Sequence, residues 1–300
     1  MRLFVTGASG FIGSAVVAEL RDAGHEVTGL ARSPASAGRL AALGASVTLA
    51  TLADTGSLHA AAAASDGVIH LAYRHGEPSG VAAATDRQVI EVLGDALAGS
   101  GRPLVVTSGT LVLPPGRVGT ESDAPDPAAP AAARAAGERA ALALAGRGVR
   151  VSVVRLAACA HERVKRGFAG ALVDTAQRSG LAGYLGDGSQ RWPALHRQDA
   201  ARLYRLAAEH APAGAVLHGV GEQGVRLRAI AELIATRLGV PVRQVPADQA
   251  EAHFGWLATL AGTDAPASST ATRSLLAWEP VHPGLLDDLA HGEFFQGAQR

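Results

Sequence analysis

The chain has 300 residues, of which 48% are hydrophobic and 18% are charged. This length suits one large domain with a smaller lobe, and no apolar run approaches the ~18 residues that span a bilayer. The 27 Lys and Arg residues balance 27 Asp and Glu residues, which argues against nucleic acid or an anionic membrane as a partner and favours a small-molecule substrate. Cys159 is the only cysteine, so we expect no disulfide within the chain and no metal site.

Strands alternate with helices through the first half of the chain, in the pattern typical of a parallel sheet covered by helices on both faces. No apolar signal core precedes the first predicted strand, so we expect a cytoplasmic protein. Apolar runs predict strands at residues 3–7, 26–31, 46–50, 67–72, 103–108 and 149–156. Helices are predicted between them, including 11–24 and 81–101. We therefore predict an α/β fold, with a Rossmann-type doubly wound parallel sheet in residues 1–158.

The remaining residues, 159–300, follow a less regular pattern and contain all three tryptophans. Helices are predicted at 166–179, 199–209 and 225–238. An apolar run at 215–220 predicts a strand that returns to the main sheet. We interpret this half of the chain mainly as a smaller C-terminal lobe that binds the substrate.

Three glycines lie between the first predicted strand and the first predicted helix: Gly7, Gly10 and Gly13. Gly7 permits a tight turn, Gly10 lets the backbone approach a pyrophosphate, and Gly13 allows the helix to pack closely on the strand. The N-terminus of the helix supplies free N–H groups and positive potential. This pattern predicts a dinucleotide site. The expected cofactor contacts in the same turn also include Ser9, Phe11 and Ile12.

The segment after the second predicted strand indicates which dinucleotide binds. NAD sites usually place Asp or Glu there, which accepts a hydrogen bond from the ribose 2′-hydroxyl. In this chain Ala31 takes that position, and Arg32 and Ser33 follow it. These side chains suit the 2′-phosphate of NADP(H), which is therefore the expected cofactor, with NAD(H) as the alternative. Arg32 could also be an ordinary solvated surface arginine.

Four short motifs carry a resemblance to a known family: TGASGFIG at 6–13, HLA at 70–72, TSGT at 107–110 and WEP at 278–280. With these motifs the chain resembles an extended-type short-chain dehydrogenase/reductase of the NAD(P)-dependent epimerase/dehydratase superfamily. The resemblance implies a Rossmann domain that binds NAD(P), and an active site with a Ser or Thr, a Tyr, and a Lys four residues after the Tyr. Ser108 matches the catalytic Ser or Thr. The cofactor contacts expected from these motifs are Leu71, Ala72 and Thr107.

The Tyr and Lys of that family have no match in this chain. The stretch where they belong, 127–141, reads PAAPAAARAAGERAA, which places Pro130 at the Tyr position and Arg134 at the Lys position. No tyrosine of the chain has a lysine four residues later. The chain is therefore similar to the atypical short-chain dehydrogenases. We expect 127–141 to form a closely packed helix of small residues, which with the helix at 81–99 could form a homodimer interface.

Candidates for a replacement acid should follow the carboxyl ends of the predicted strands, where ligands bind in such sheets. His161 lies in the loop after the sixth strand, and Lys165 follows it by four residues. An imidazole can donate a proton near neutral pH, although His161 could equally contact a phosphate or solvent. Tyr73 and His75 follow the fourth strand. Either could line the nicotinamide pocket, have a structural role or pack against the substrate.

Two classes of function agree with these patterns. The first is an NADPH-dependent reductase of a small carbonyl, activated alkene or imine, in which Ser108 polarises the substrate and His161 or Tyr73 supplies a proton. The second is a non-catalytic NADP(H)-binding sensor or regulatory protein. Epimerisation of a sugar nucleotide is the weakest alternative, because in the family that chemistry relies on the missing Tyr.

Overall fold

The computed structural model describes residues 1–295, in which strands and helices alternate along most of the chain. The strands are β1 (Arg2–Thr6), β2 (Glu26–Ala31), β3 (Ser46–Leu49), β4 (Gly67–His70), β5 (Pro103–Gly109), β6 (Arg150–Leu156), β7 (Cys159–His161), β8 (Ala182–Leu185), β9 (Arg191–His196), β10 (Ala215–Gly219), β11 (Glu222–Arg226) and β12 (Val242–Val245). The helices are α1 (Phe11–Asp22), α2 (Pro34–Ala42), α3 (Thr55–Ala63), α4 (Ser79–Leu97), α5 (Ala135–Ala143), α6 (Gly167–Ser179), α7 (Arg197–His210), α8 (Leu227–Leu238), α9 (Ala250–Phe254), α10 (Ala258–Ala261), α11 (Thr270–Leu276) and α12 (Leu285–His291).

Seven parallel strands form the central sheet in the order β10-β6-β5-β4-β1-β2-β3. The predicted α/β fold with a Rossmann-type doubly wound sheet is therefore confirmed. The strand order reverses between β1 and β4, and in open parallel sheets the crevice at such a reversal is where ligands bind. Among the helices of residues 1–295, none combines the length and the apolar character that crossing a lipid bilayer requires.

Alternation along the strands places one core on each face of the central sheet. In β1, Leu3 and Val5 belong to the core that includes α1 and α7, whereas Phe4 belongs to the core that includes α4 and α5. The Ala-rich segment at 127–141 was expected to be one helix, but α5 begins only at Ala135, after a 3-10 turn at Ala132–Arg134. Pro127 and Pro130 explain the late start, because a proline disfavours helical backbone in the residue before it. A Cβ atom at Gly137 would lie 2.9 Å from Asp86 Oδ2, so α4 and α5 pack as closely as the small residues suggested.

The C-terminal half builds a separate lobe and also completes the central sheet. Strands β7, β9 and β11 form one small sheet, and β8 and β12 form another. The lobe has its own core, in which the buried Trp192 indole donates a hydrogen bond to Leu260 O at 3.1 Å. The strand expected at 215–220 is β10, which lies beside β6 at the edge of the central sheet. Helix α7 from the same half packs against α1.

Candidate functional site

The glycine-rich turn after β1 leaves room for a dinucleotide at the N-terminus of α1. Gly7 has a φ of +67°, and a Cβ atom there would lie 2.7 Å from Ala72 N. At Gly13 a Cβ atom would lie 2.0 Å from Gly7 O, whereas at Gly10 it would meet only Gly7 O, at 3.1 Å. Because α1 begins at Phe11, the N–H groups of its first turn lack acceptors within the helix. These features fit a pyrophosphate group.

A buried chain of hydrogen bonds fixes the wall beside this turn. His70 lies between Thr6 and Asp86, with Nδ1 2.7 Å from Thr6 Oγ1 and Nε2 3.1 Å from Asp86 Oδ1. Asp86 is an acceptor, so His70 Nε2 donates to it and Nδ1 accepts from the Thr6 hydroxyl. Thr6 Oγ1 in turn accepts from Ala72 N at 3.2 Å. The chain holds Leu71 and Ala72, the expected cofactor contacts, in place. The sequence reasoning missed Thr6, His70 and Asp86, although a polar residue within the otherwise apolar β4 was a signal.

The other residues predicted to contact the cofactor lie after β2 and around the start of α1, and their contact with a cofactor stays a prediction. Arg32 is exposed at the end of β2. Ser33 caps α2, because its hydroxyl accepts a hydrogen bond from Ser36 N at 3.3 Å. Phe11 lies at the start of α1 under the guanidinium of Arg197, whose Cζ is 5.1 Å from the ring centroid. The remaining residues of the turn, Ser9 and Ile12, are half-buried.

Ser108 lies near the carboxyl end of β5 and is almost fully buried, with 4% of its surface exposed. Within residues 1–295 its hydroxyl has no hydrogen-bond partner, and the same holds for the buried hydroxyl of Thr110. Buried hydroxyls are nearly always hydrogen-bonded, so two orphans at one strand end suit a site where a ligand provides the partner. The sequence reasoning had identified Ser108 but not Thr110.

Arg134 reaches the same end of the sheet from the turn before α5. Its Nη2 donates to Thr107 O at 2.8 Å, and its Cζ lies 4.1 Å from the centroid of the Tyr73 ring. Thr107 Oγ1 donates to His70 O at 2.7 Å and lies 2.8 Å from the hydroxyl of Tyr204, which therefore donates to it. The structure thus brings together Thr107, Tyr73 and Arg134 from β5, the loop after β4 and the turn before α5, and Ser108 is the next residue of β5.

Two titratable groups of this cluster have shifted pKa values. Burial raises the pKa of Tyr73, while the positive charge of Arg134 opposes that rise and the carboxylate of Asp86 adds to it. The pKa of His75 is lowered by burial and, to a smaller extent, by Arg134. The His75 ring packs edge-on against Tyr73 with 5.0 Å between the ring centroids. At neutral pH the cluster therefore holds a protonated phenol beside a neutral imidazole.

His161 lies in β7 of the lobe, and it is almost fully buried. Its Nδ1 lies 2.8 Å from Asp288 Oδ2, and its ring packs edge-on against His196. Among the described residues, none of its hydrogen bonds reaches Ser108. Lys165, four residues after His161, donates to Asp174 Oδ1 at 2.8 Å. The role of His161 as a proton donor stays a prediction.

A buried ion pair anchors α5 to the central sheet. Arg155 of β6 donates from Nε to both carboxylate oxygens of Glu138, at 3.0 and 3.1 Å, and from Nη2 to Oε1. Its Nη1 donates to Asp123 O at 2.9 Å. Both side chains of the ion pair are at most 2% exposed. The pair fixes the start of α5, and with it the position of Arg134, relative to β5 and β6.

Comparison with known proteins bears on the family and on the fold. The sequence model described as the NAD dependent epimerase/dehydratase family matches residues 3–218. An uncharacterized protein of Schizosaccharomyces pombe is 43% identical over 298 residues, which cover 98% of this chain and 100% of that protein. One from Saccharomyces cerevisiae is 41% identical over 292 residues, covering 96% and 98%. The dTDP-glucose 4,6-dehydratase DesIV of Streptomyces venezuelae, solved with NAD bound, has the same fold, with a TM-score of 0.80, 21% identity, and coverage of 98% and 97%.

Proposed function

Because the chain belongs to the NAD dependent epimerase/dehydratase family, we propose that it is an NADPH-dependent reductase of a small carbonyl, activated alkene or imine. The observation that carries this proposal is the buried, unpartnered hydroxyl of Ser108 at the same sheet edge as the glycine-rich turn. A hydroxyl in that position can donate a hydrogen bond to a substrate oxygen or nitrogen.

The cofactor proposed is a nicotinamide dinucleotide held by the turn at Gly7, Gly10 and Gly13 and by the backbone of Leu71 and Ala72. DesIV, which shares the fold, was solved with NAD. The exposed Arg32 and the absence of an acid at the end of β2 favour NADP(H) over NAD(H). When bound, the nicotinamide supplies a hydride.

Ser108 is proposed to orient the substrate and to polarise the double bond that is reduced. In a carbonyl substrate, negative charge develops on the oxygen in the transition state, and a fixed donor in a buried site stabilises it. An imine that is protonated before it binds needs less help from an acid of the protein. The missing Tyr of the family therefore does not prevent reduction.

We also propose that the chain forms a homodimer through α4 and α5. Val81 of α4 is 53% exposed, and Ala136, Ala140 and Ala143 of α5 are not fully buried. Light scattering coupled to size exclusion would show a dimer, and a monomer at micromolar concentration would contradict this.

The test is NADPH oxidation against a panel of ketones, enones and cyclic imines, with dTDP-glucose and UDP-glucose included for the sugar-nucleotide alternative. At least one carbonyl, alkene or imine should be reduced. Tight NADPH binding without turnover of any substrate would favour the non-catalytic sensor. Conversion of a sugar nucleotide without net NADPH oxidation would favour an epimerase.

A further inference from the structure

Tyr73 and Arg134 come from distant parts of the chain and meet at the carboxyl end of the central sheet. Tyr73 follows β4, whereas Arg134 precedes α5. The guanidinium Cζ lies 4.1 Å from the centroid of the Tyr73 ring, and Nη2 donates to the carbonyl of Thr107, the residue before Ser108. Arg134 therefore spans from the phenol to the strand that carries the orphan hydroxyl.

The guanidinium of Arg134 lies over the ring of Tyr73, and Asp86 is the carboxylate that acts on the same phenol. In residues 1–295 Arg134 forms no salt bridge, and its buried Nε has no hydrogen-bond partner. The lobe offers a contrast, because Arg228 lies over the ring of Tyr184 at 5.4 Å and also pairs with Glu232 at 2.8 Å. A carboxylate partner cancels most of the field that a cation exerts on a neighbouring group. Of these two pairs, the one at Tyr73 has a guanidinium without a salt bridge among residues 1–295.

We propose that Tyr73 is the proton donor of the reduction and that Arg134 is the positioning residue that holds its ring and stabilises its tyrosinate. This inference rests on the proposed function. As the substrate carbon receives the hydride, the carbonyl oxygen takes the phenolic proton of Tyr73. The products are an alcohol, NADP+ and a tyrosinate, which recovers a proton from solvent because Tyr73 is only half-buried. For an imine, the nitrogen takes the same proton and the product is an amine.

The groups around Tyr73 agree with this role. Burial keeps the phenol protonated at neutral pH, and Arg134 lowers the free energy of the anion that forms after proton transfer. Asp86 acts in the opposite direction, but its Oδ1 accepts from His70. His75 contacts the ring and is the nearest competing donor. Arg134 donates to Thr107 on the strand that carries Ser108. It therefore links Tyr73, the proposed acid, to the strand of the proposed polarising group.

The first test measures the acidity of Tyr73 in the protein without added cofactor. Tyrosinate absorbance is followed during an alkaline titration, and the difference between the wild type and Tyr73→Phe isolates Tyr73. Arg134→Gln should move that transition upward by about one pH unit, because it removes the facing charge, whereas Arg134→Lys should largely restore it. Circular dichroism checks that each variant is folded. An unchanged transition in a folded Arg134→Gln variant would overturn the inference.

The second test uses a substrate identified in the reductase panel. Tyr73→Phe should lower kcat at least about a hundredfold, as expected for loss of a general acid, with the Kd of NADPH unchanged. Tyr184→Phe, at the other Arg–Tyr pair, serves as the matched control, and its kcat should fall far less than that of Tyr73→Phe. Arg134→Gln should lower kcat less than Tyr73→Phe and shift the pH profile of kcat, and Arg134→Lys should recover most of the loss.

The outcomes separate the two proposals. If the wild type reduces a substrate and Tyr73→Phe keeps its rate, the inference is wrong and the proposed function stands. A large loss in His75→Phe or His161→Phe, without one in Tyr73→Phe, would likewise assign the proton to a histidine. If the wild type reduces nothing but the titration shifts as expected, the proposed function fails, while the action of Arg134 on Tyr73 is supported.

Discussion

The crevice at the carboxyl edge of the central sheet has two halves that are built in different ways. The half at β1 and α1 is made of backbone: glycines whose missing Cβ atoms leave space, and N–H groups at the start of a helix. The half at β5 and α5 is made of side chains, with Ser108, Tyr73 and Arg134 held by contacts between distant segments. A backbone site tolerates little addition of volume, whereas a side-chain site can exchange one chemical group for another. The glycine turn therefore does not depend on the Tyr and Lys of the family, whose positions lie in the side-chain half.

The largest expected effect is in the backbone half. Gly10→Leu should abolish binding of NADPH measured by calorimetry, because the new side chain would occupy the path of the pyrophosphate. The fold should remain, since a Cβ atom at Gly10 meets only Gly7 O, at 3.1 Å. Gly56→Leu in α3, where a Cβ atom meets nothing within 4 Å, is the matched control. Normal NADPH binding by Gly10→Leu would show that the nucleotide lies elsewhere.

The two halves also differ in how far the sequence could predict them. The sheet, α1 and the glycine turn depend on apolar runs and on glycine spacing within short segments, so local patterns predicted them. The chain from Thr6 through His70 to Asp86 and the contact of Arg134 with Tyr73 depend on which strands become neighbours. Alignment placed Arg134 at the Lys position, but no local pattern indicated that its partner would follow β4. His161 was predicted as a proton donor from its position after the sixth strand. In the structure it contacts Asp288 of the lobe.

The second prediction concerns Arg32, which follows β2 beside the backbone half. Its substitution should alter the choice of cofactor and leave the chemical step unchanged. Arg32→Glu should weaken NADPH binding about tenfold to a hundredfold, because a charge-assisted contact with phosphate contributes roughly 1.5–3 kcal/mol. NADH binding should change little. Calorimetry with both cofactors gives the measurement, and Arg39→Glu on the exposed side of α2 is the control. Equal affinity of the wild type for NADPH and NADH would contradict the assignment.

The third prediction concerns the side-chain half, where a substitution should slow the reaction and leave the affinity for NADPH unchanged. Ser108→Ala should lower kcat/KM at least about tenfold, near 1.4 kcal/mol of transition-state stabilisation, with the Kd of NADPH unchanged. Ser152→Ala is a matched control, because Ser152 is also buried with an unpartnered hydroxyl but lies in the middle of β6. A Ser108 variant that binds NADPH more weakly yet keeps kcat would show that Ser108 contributes to cofactor binding and not to the chemical step.

The smallest expected effect is a pH dependence of the stability of the folded protein, caused by a histidine beside the Arg155 ion pair that anchors α5. His218 of β10 lies beside Arg155, which donates to its Nε2 at 3.4 Å, and its Nδ1 donates to Ser268 O at 2.8 Å. Burial, together with the charge of Arg155, lowers the pKa of His218 in the folded protein, although the carbonyl of Ser268 and the nearby carboxylates act in the opposite direction. The unfolded chain, with an imidazole pKa near about 6.5, therefore binds the extra proton first as the pH falls.

Stability from this group is thus complete above about pH 6.5 and decreases below it, by at most about 1.4 kcal/mol per pH unit for one proton. We expect the Tm to fall between pH 7.5 and pH 5, as these bounds imply, and the fall to be smaller in His218→Gln, which cannot take up the proton. His59→Gln, at an exposed position in α3, should keep the wild-type slope. Equal slopes in the wild type and His218→Gln would show that the pKa of His218 is not lowered in the folded protein.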